Sequence, residues 1–101
     1  QVTYGHTIVM PKHHVKNILE ADEETVTSCM KTVHSLARQI VTNTKAAGCN
    51  ILNNCNEVAG QSVDHLHFHI IPRYSADDAC HFVFEESAPQ DLDEVLKTIR
   101  G

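Results

Sequence analysis

Apolar residues fall along this chain in five segments of distinct spacing. Thr7 to Met10 is a short run with β-branched Ile8 and Val9, which predicts a strand ended by Pro11. Lys12 to Ala21 has no clear period and reads as a loop or a short helical turn. Asp22, Glu23 and Glu24 then place acids where a helix start favours them. Behind them Val26, Met30, Val33, Ala37 and Ile40 recur at helical spacing, and Cys29, Leu36 and Val41 widen the stripe. Gly48 is the expected stop of this long helix. Asn50 to Asn54 reads as a second strand, and Asn56 to Gln61, with Gly60, as a turn. Val63 to Ile71 is the clearest strand of the chain. Pro89 is placed to open a last helix with Leu92, Val95, Leu96 and Ile99 on one face. Too few helices are present for parallel crossovers. The expectation is therefore an α+β fold, one domain over residues 1–101, with an antiparallel sheet, one long helix and a C-terminal helix.

Composition narrows the function classes. A chain of 101 residues suffices for one small domain. Its net charge of −5 argues against a general nucleic-acid binder, which would carry a basic face. A nucleotide stays possible, because backbone N–H groups can hold a phosphate without many lysines. No apolar stretch approaches the ~20 residues a membrane helix needs, and no signal peptide is visible. Cys29, Cys49, Cys55 and Cys80 contain no CxxC pair, so reduced thiols and a cytoplasmic location are expected.

The chemistry concentrates in Asp64-His65-Leu66-His67-Phe68-His69-Ile70-Ile71. On a strand, Leu66, Phe68 and Ile70 share one face and His65, His67 and His69 the other. A core has no use for three imidazoles, and a solvent face is more cheaply filled by Thr, Lys or Glu. One metal ion is a poor common ligand, because residues i and i+4 lie roughly 13 Å apart on a strand whereas zinc needs nitrogens within ~2.1 Å. Two of the three, completed from elsewhere, stay open as a metal site, as does a merely structural role. Proton transfer and attack on phosphorus fit the row better: imidazole titrates near neutrality, is a nucleophile when neutral, and stabilises phosphate oxygens when charged.

This run resembles the signature of the histidine-triad family, His-φ-His-φ-His-φ-φ with φ apolar, and Leu66, Phe68, Ile70 and Ile71 fill every apolar slot. Gly60-Gln61-Ser62-Val63 matches the family's lead-in. Gly5-His6-Thr7-Ile8-Val9-Met10-Pro11-Lys12, followed by His13-His14, matches its Gly-His strand. The similarity runs from Gly5 to Tyr74. It implies a nucleotide hydrolase acting on nucleoside phosphoramidates or dinucleoside polyphosphates through a nucleotidyl-histidine. His67 would be the nucleophile, His69 the contact to phosphate and leaving group, His65 an orienting group and His14 the completing histidine. Asn54 would touch phosphate, while Gly60, Gln61 and Ser62 would form a phosphate turn through backbone N–H groups and the Ser62 hydroxyl. Asn53 beside Asn54, and His13 beside His14, leave the register open by one residue. Gln61 has a second reading as a residue serving the turn itself.

The resemblance further implies an AMP-like purine nucleotide as ligand, no required cofactor, and a homodimer built through the long helix and a strand. Relatives carry an N-terminal segment of a few dozen residues that nothing here occupies. Some bind zinc through a CxxC that is absent, together with histidines near His14 and His65, so zinc stays a minor expectation. His6, His34 and His81 read as structural or exposed, and Arg73 as a solvated charge. Pro72-Arg73-Tyr74 is nearer the bacterial and dinucleotide-hydrolase-like members than the phosphoramidase branch. The rival functions are a nucleotide-binding module without turnover and a zinc-binding protein. A DNA-end processing relative is disfavoured by the acidic charge.

Overall fold

A computed structural model describes residues 2–101. The elements are β1 (Thr7–Val9), α1 (Glu23–Thr44), β2 (Gly48–Leu52), a 3-10 turn (Glu57–Ala59), β3 (Phe68–Arg73) and α2 (Leu92–Arg100). The strands form one antiparallel sheet in the order β1-β3-β2. The last strand in the chain thus lies in the middle, and α1 packs against the sheet. The core is Val9, Cys29, Val33, Leu66, Phe68 and Ile70, with Val15, Ile18, Leu36, Ala37 and Ile40 around it. All four cysteines are free thiols. Among the described residues no helix is long and apolar enough to cross a membrane.

The α+β class, the antiparallel sheet and both helices match the expectation, with instructive shifts. Asp22 caps α1, its Oδ1 accepting the Thr25 N–H at 2.7 Å. The buried stripe runs through Thr25, Cys29 and Val33, so Met30, expected inside, is 36% exposed. The helix ends before Gly48. Lys45 takes a left-handed conformation at φ 61°, and the Thr44 hydroxyl donates back to the Ile40 carbonyl at 2.6 Å. Gly48 instead opens β2, which starts two residues before Asn50 and leaves Asn53 and Asn54 beyond its end.

The predicted strand Val63–Ile71 is a strand only from Phe68, and it continues through Pro72 to Arg73. Before Phe68 the backbone bonds to partners outside any strand. The Leu66 N–H donates to the Val15 carbonyl at 2.7 Å, and the Asn53 amide donates to the His67 carbonyl at 2.9 Å. Pro72 is tolerated in a central strand because β1 pairs only as far as Thr7 with Ile70. Arg73 is not a solvated charge: it donates to Asp78 at 3.1 Å and to Asn50 at 2.7 Å.

α2 begins at Leu92, capped by Asp91, whose side chain accepts the N–H groups of Asp93 and Glu94. Among the described residues it packs against no other helix or strand. Its apolar face stays open, with Leu92 75%, Leu96 44% and Ile99 76% exposed.

Candidate active site

From Leu66 into β3 the signature alternates between core and cleft, with His65 the exception. Leu66, Phe68 and Ile70 enter the core. His67 and His69 turn the other way and line a cleft of about 500 Å³, with ring centroids 5.0 Å apart. Asn54, Gly60 and Ser62 line the same cleft. The face is not open to solvent: His67 is only 9% exposed. A larger cleft of about 600 Å³ lies between Val9–His13 and the first turns of α1, but neither His67 nor His69 reaches it.

The hydrogen bonds assign the tautomers. His67 Nδ1 lies 2.7 Å from the His65 carbonyl. A carbonyl only accepts, so Nδ1 carries the proton and Nε2 keeps its lone pair. The Val2 N–H donates to His6 Nδ1 at 3.1 Å, which makes that nitrogen an acceptor. His6 Nε2 therefore carries the hydrogen and donates to His69 Nδ1 at 2.9 Å. His69 in turn presents Nε2–H. The chain of bonds leaves one imidazole with a free lone pair and its neighbour with a free donor, five ångströms apart by ring centre.

His6 is the residue that sequence reasoning missed. It sits one position before β1, on the face of Ile8, which is paired with His69. Alternation in β1 would have placed His6 with Ile8. Only the β1–β3 register, which is not local, brings both to His69. His81 is exposed, in line with its reading from the sequence, and stands at the rim of the same cleft.

His14 does not complete this set. Its ring meets His65 edge-on, with centroids 5.5 Å apart, and it lines a separate shallow cleft with Glu20 and Asp64. His65 itself donates from Nε2 to the Pro11 carbonyl at 3.0 Å, so its ring stands outside the row, while its carbonyl orients His67. His14 and His65 offer two imidazoles, and among the described residues no group of three or more His, Cys, Asp or Glu side chains gathers for a metal. These residues do not make a tetrahedral zinc set.

In the 56–62 turn the Gly60 N–H donates to the Glu57 carbonyl and the Gln61 N–H to the Asn56 carbonyl. Both were expected to face a phosphate, and both are engaged inside the turn. The Gln61 amide holds the Lys16 and Val63 carbonyls and the Asn56 N–H, so it serves the turn. Ser62 supplies the turn's hydroxyl at the cleft. The neighbouring asparagines also separate: Asn53 holds the His67 backbone, and Asn54 faces the cleft.

Burial lowers the pKa of His69, reinforced by His67 and His6, and burial lowers that of His6. In the unfolded chain both return to the ordinary value of about 6.5. Between the lowered values and 6.5 the unfolded state binds more protons, so stability rises with pH across that window. It is present above about pH 6.5 and is lost as pH falls through the folded-state values. Thermal melts between pH 7.5 and 5.5 are expected to show a falling Tm, with a shallower fall in His69→Gln. An equal slope in the variant would remove the pair as the cause.

The profile of the family described as "HIT domain" matches residues 2–76. The chain is 42% identical over 103 residues to "Protein hit" of Bacillus subtilis, covering 98% of this chain and 71% of that one. Over 69 residues it is 35% identical to an adenosine 5'-monophosphoramidase of Saccharomyces cerevisiae, covering 68% of this chain and 41% of the enzyme. A solved structure from Streptococcus mutans superposes with a TM-score of 0.90 at 38% identity, over 99% of this chain and 64% of that chain.

Proposed function

Because the chain belongs to the HIT domain family, we propose that it is a nucleotide hydrolase cleaving the α-phosphorus bond of nucleoside phosphoramidates or dinucleoside polyphosphates through a nucleotide carried on His67. The observation that supports this reading best is the pair of opposite tautomers, a free Nε2 lone pair on His67 beside an Nε2–H on His69. The similarity to the yeast phosphoramidase supports the substrate class.

In the proposed cycle the anionic substrate draws one proton onto the His6–His69 pair. His67 Nε2 attacks the α-phosphorus, the P–N bond to the leaving amine breaks, and His69 hands its Nε2 proton to the amine. Water then attacks phosphorus and gives a proton back to His69. The bond to His67 breaks, and the nucleoside monophosphate leaves. Ser62 and Asn54 hold the phosphate side of the ligand, Gly60, whose N–H is engaged inside the turn, shapes the cleft beside them, and the apolar wall of Ile8, Leu52 and Val63 receives an AMP-like nucleoside. Gln61 acts through the turn. His65 orients His67 through its carbonyl, and His14 packs on His65 rather than on the ligand. No step needs a metal or cofactor, and the place of action is the cytoplasm. The test is intact-protein mass after brief mixing with an adenosine phosphoramidate and a quench in alkaline denaturant, which preserves a P–N bond to histidine. A gain of one adenylyl group is expected. Bound nucleotide with neither adduct nor turnover would turn the reading to a binding module.

The open face of α2 supports a homodimer. The radius of gyration is 16.2 Å, against about 13 Å for a compact domain of this length. The difference fits the exposed arm from His81 onward, on which Phe84 is 89% exposed. An amphipathic helix with its apolar face in water is expected to find cover, and a second copy is the proposed one. Sedimentation at micromolar concentration should give twice the 11.3 kDa chain mass. A single-chain mass there would end the dimer reading.

A further inference from the structure

The 56–62 turn carries Gly60 and Ser62 to the histidine cleft, yet it is exposed and lies outside the sheet. What holds it is the segment from Pro11 to Asn17. This strap makes four hydrogen bonds to the turn and the histidine segment: Pro11 to His65, Val15 to Leu66, Lys16 to Gln61 and Asn17 to Asn56.

The last of these is unusual on both sides. Asn17 is a polar side chain only 3% exposed. Its Oδ1 accepts the N–H groups of Leu19 at 3.0 Å and Glu20 at 3.1 Å. That fixes the amide orientation, so Nδ2 must face Asn56, to whose Oδ1 it donates at 2.9 Å. Asn56 sits at φ 71°, ψ 160°, a region that is essentially glycine territory. Glycine would adopt it without strain, but glycine has no amide to meet Asn17. The strained conformation persists because its surroundings over-determine it: the Asn56 N–H donates to Gln61 Oε1 at 2.8 Å, and its carbonyl accepts from Ala59 and Gln61.

We propose that the Asn17–Asn56 amide bond is a latch that positions the phosphate turn against His67, making Asn17 and Asn56 positioning residues of the reaction. The inference rests on the hydrolase reading for its kinetic consequence, though not for the latch geometry. A turn displaced by an ångström moves the groups that hold the phosphate out of line with the attacking nitrogen, and such misplacement lowers rates on the order of 10²-fold.

Three variants separate the latch from plain stability. Asn56→Gly relieves the strained φ while leaving the buried Asn17 donor without its partner, two opposed effects of similar size, so its Tm should change little while kcat falls on the order of 10²-fold and KM moves far less. Asn17→Ala deletes the donor to Asn56, and its kcat should fall similarly. In Asn17→Asp the acceptor for Leu19 and Glu20 stays, and the Asn56 amide can turn over to donate to the carboxylate, so kcat should largely recover. Unchanged kcat in Asn56→Gly and Asn17→Ala would overturn the latch. If the parent chain turns over no phosphoramidate, the hydrolase reading fails by itself. The latch is then judged on the amide resonances of Gly60 and Ser62. They should move in Asn56→Gly and Asn17→Ala while those of β3 stay in place, and unmoved Gly60 and Ser62 resonances would overturn it.

Discussion

Replacing His67 with alanine is expected to abolish the nucleotide adduct and to lower turnover by at least about 10⁴-fold, the scale on which loss of a nucleophile is felt. The expectation follows from the bond between His67 Nδ1 and the His65 carbonyl, which leaves Nε2 as the free lone pair at the cleft. His69 cannot take over the attack, because His6 donates to its Nδ1 and leaves Nε2 protonated. Alanine at this buried position removes little of the apolar core, since the ring faces the cleft rather than Leu66 and Phe68. AMP binding should therefore survive at reduced strength and report on folding. Rapid quench with intact mass and peptide mapping decides the matter. An undiminished adduct in His67→Ala, mapped to His69 or His6, would move the nucleophile and reverse the tautomer argument.

The second large effect is on stability. Ile70→Ala is expected to cost about 3–4 kcal/mol, within the range for large-to-small changes in well-packed cores. Ile70 is 0% exposed on the central strand, opposite Thr7 on one side and Ile51 on the other. The cavity lies between two ladders and α1 and has little room to collapse. A domain of this size holds only about 5–15 kcal/mol in all, and each kcal/mol moves Tm by about 4–8 °C, so a drop of more than ten degrees should be plain. Ile8→Ala, half exposed on the edge strand, should lose less than about 1 kcal/mol. Equal losses at the two sites, read by urea melts, would mean that the packing inferred for β3 is wrong.

Much of this was legible because it is local. A period of two is written into Leu66, His67, Phe68, His69 and Ile70, and the alternation does divide them between core and cleft. The acids at Asp22 to Glu24 announce the start of α1, and Asp22 is its cap. What stayed hidden depends on non-local register. His6 reaches His69 only because β1 pairs with β3. The choice of His14 as the completing histidine rested on its place after the strand, where the chain has already turned away toward His65. Asn17 lay in a stretch with no apolar period, and nothing in its neighbours signals a buried amide with three hydrogen bonds. Met30 illustrates a smaller failure. Helical spacing fixes a stripe only to within one residue's rotation, and the sheet selected Cys29 instead.

The order β1-β3-β2 has a consequence for how the protein stops working when heated. His69 lies on the one strand flanked on both sides, and His67 is held by a neighbour's carbonyl and by Asn53. Loss of α2 leaves that strand in place, but fraying of β1 takes His6 from His69, and loosening of the Pro11–Asn17 strap frees the turn. Heat inactivation should therefore run ahead of the cooperative loss of the sheet, through a folded but inactive state.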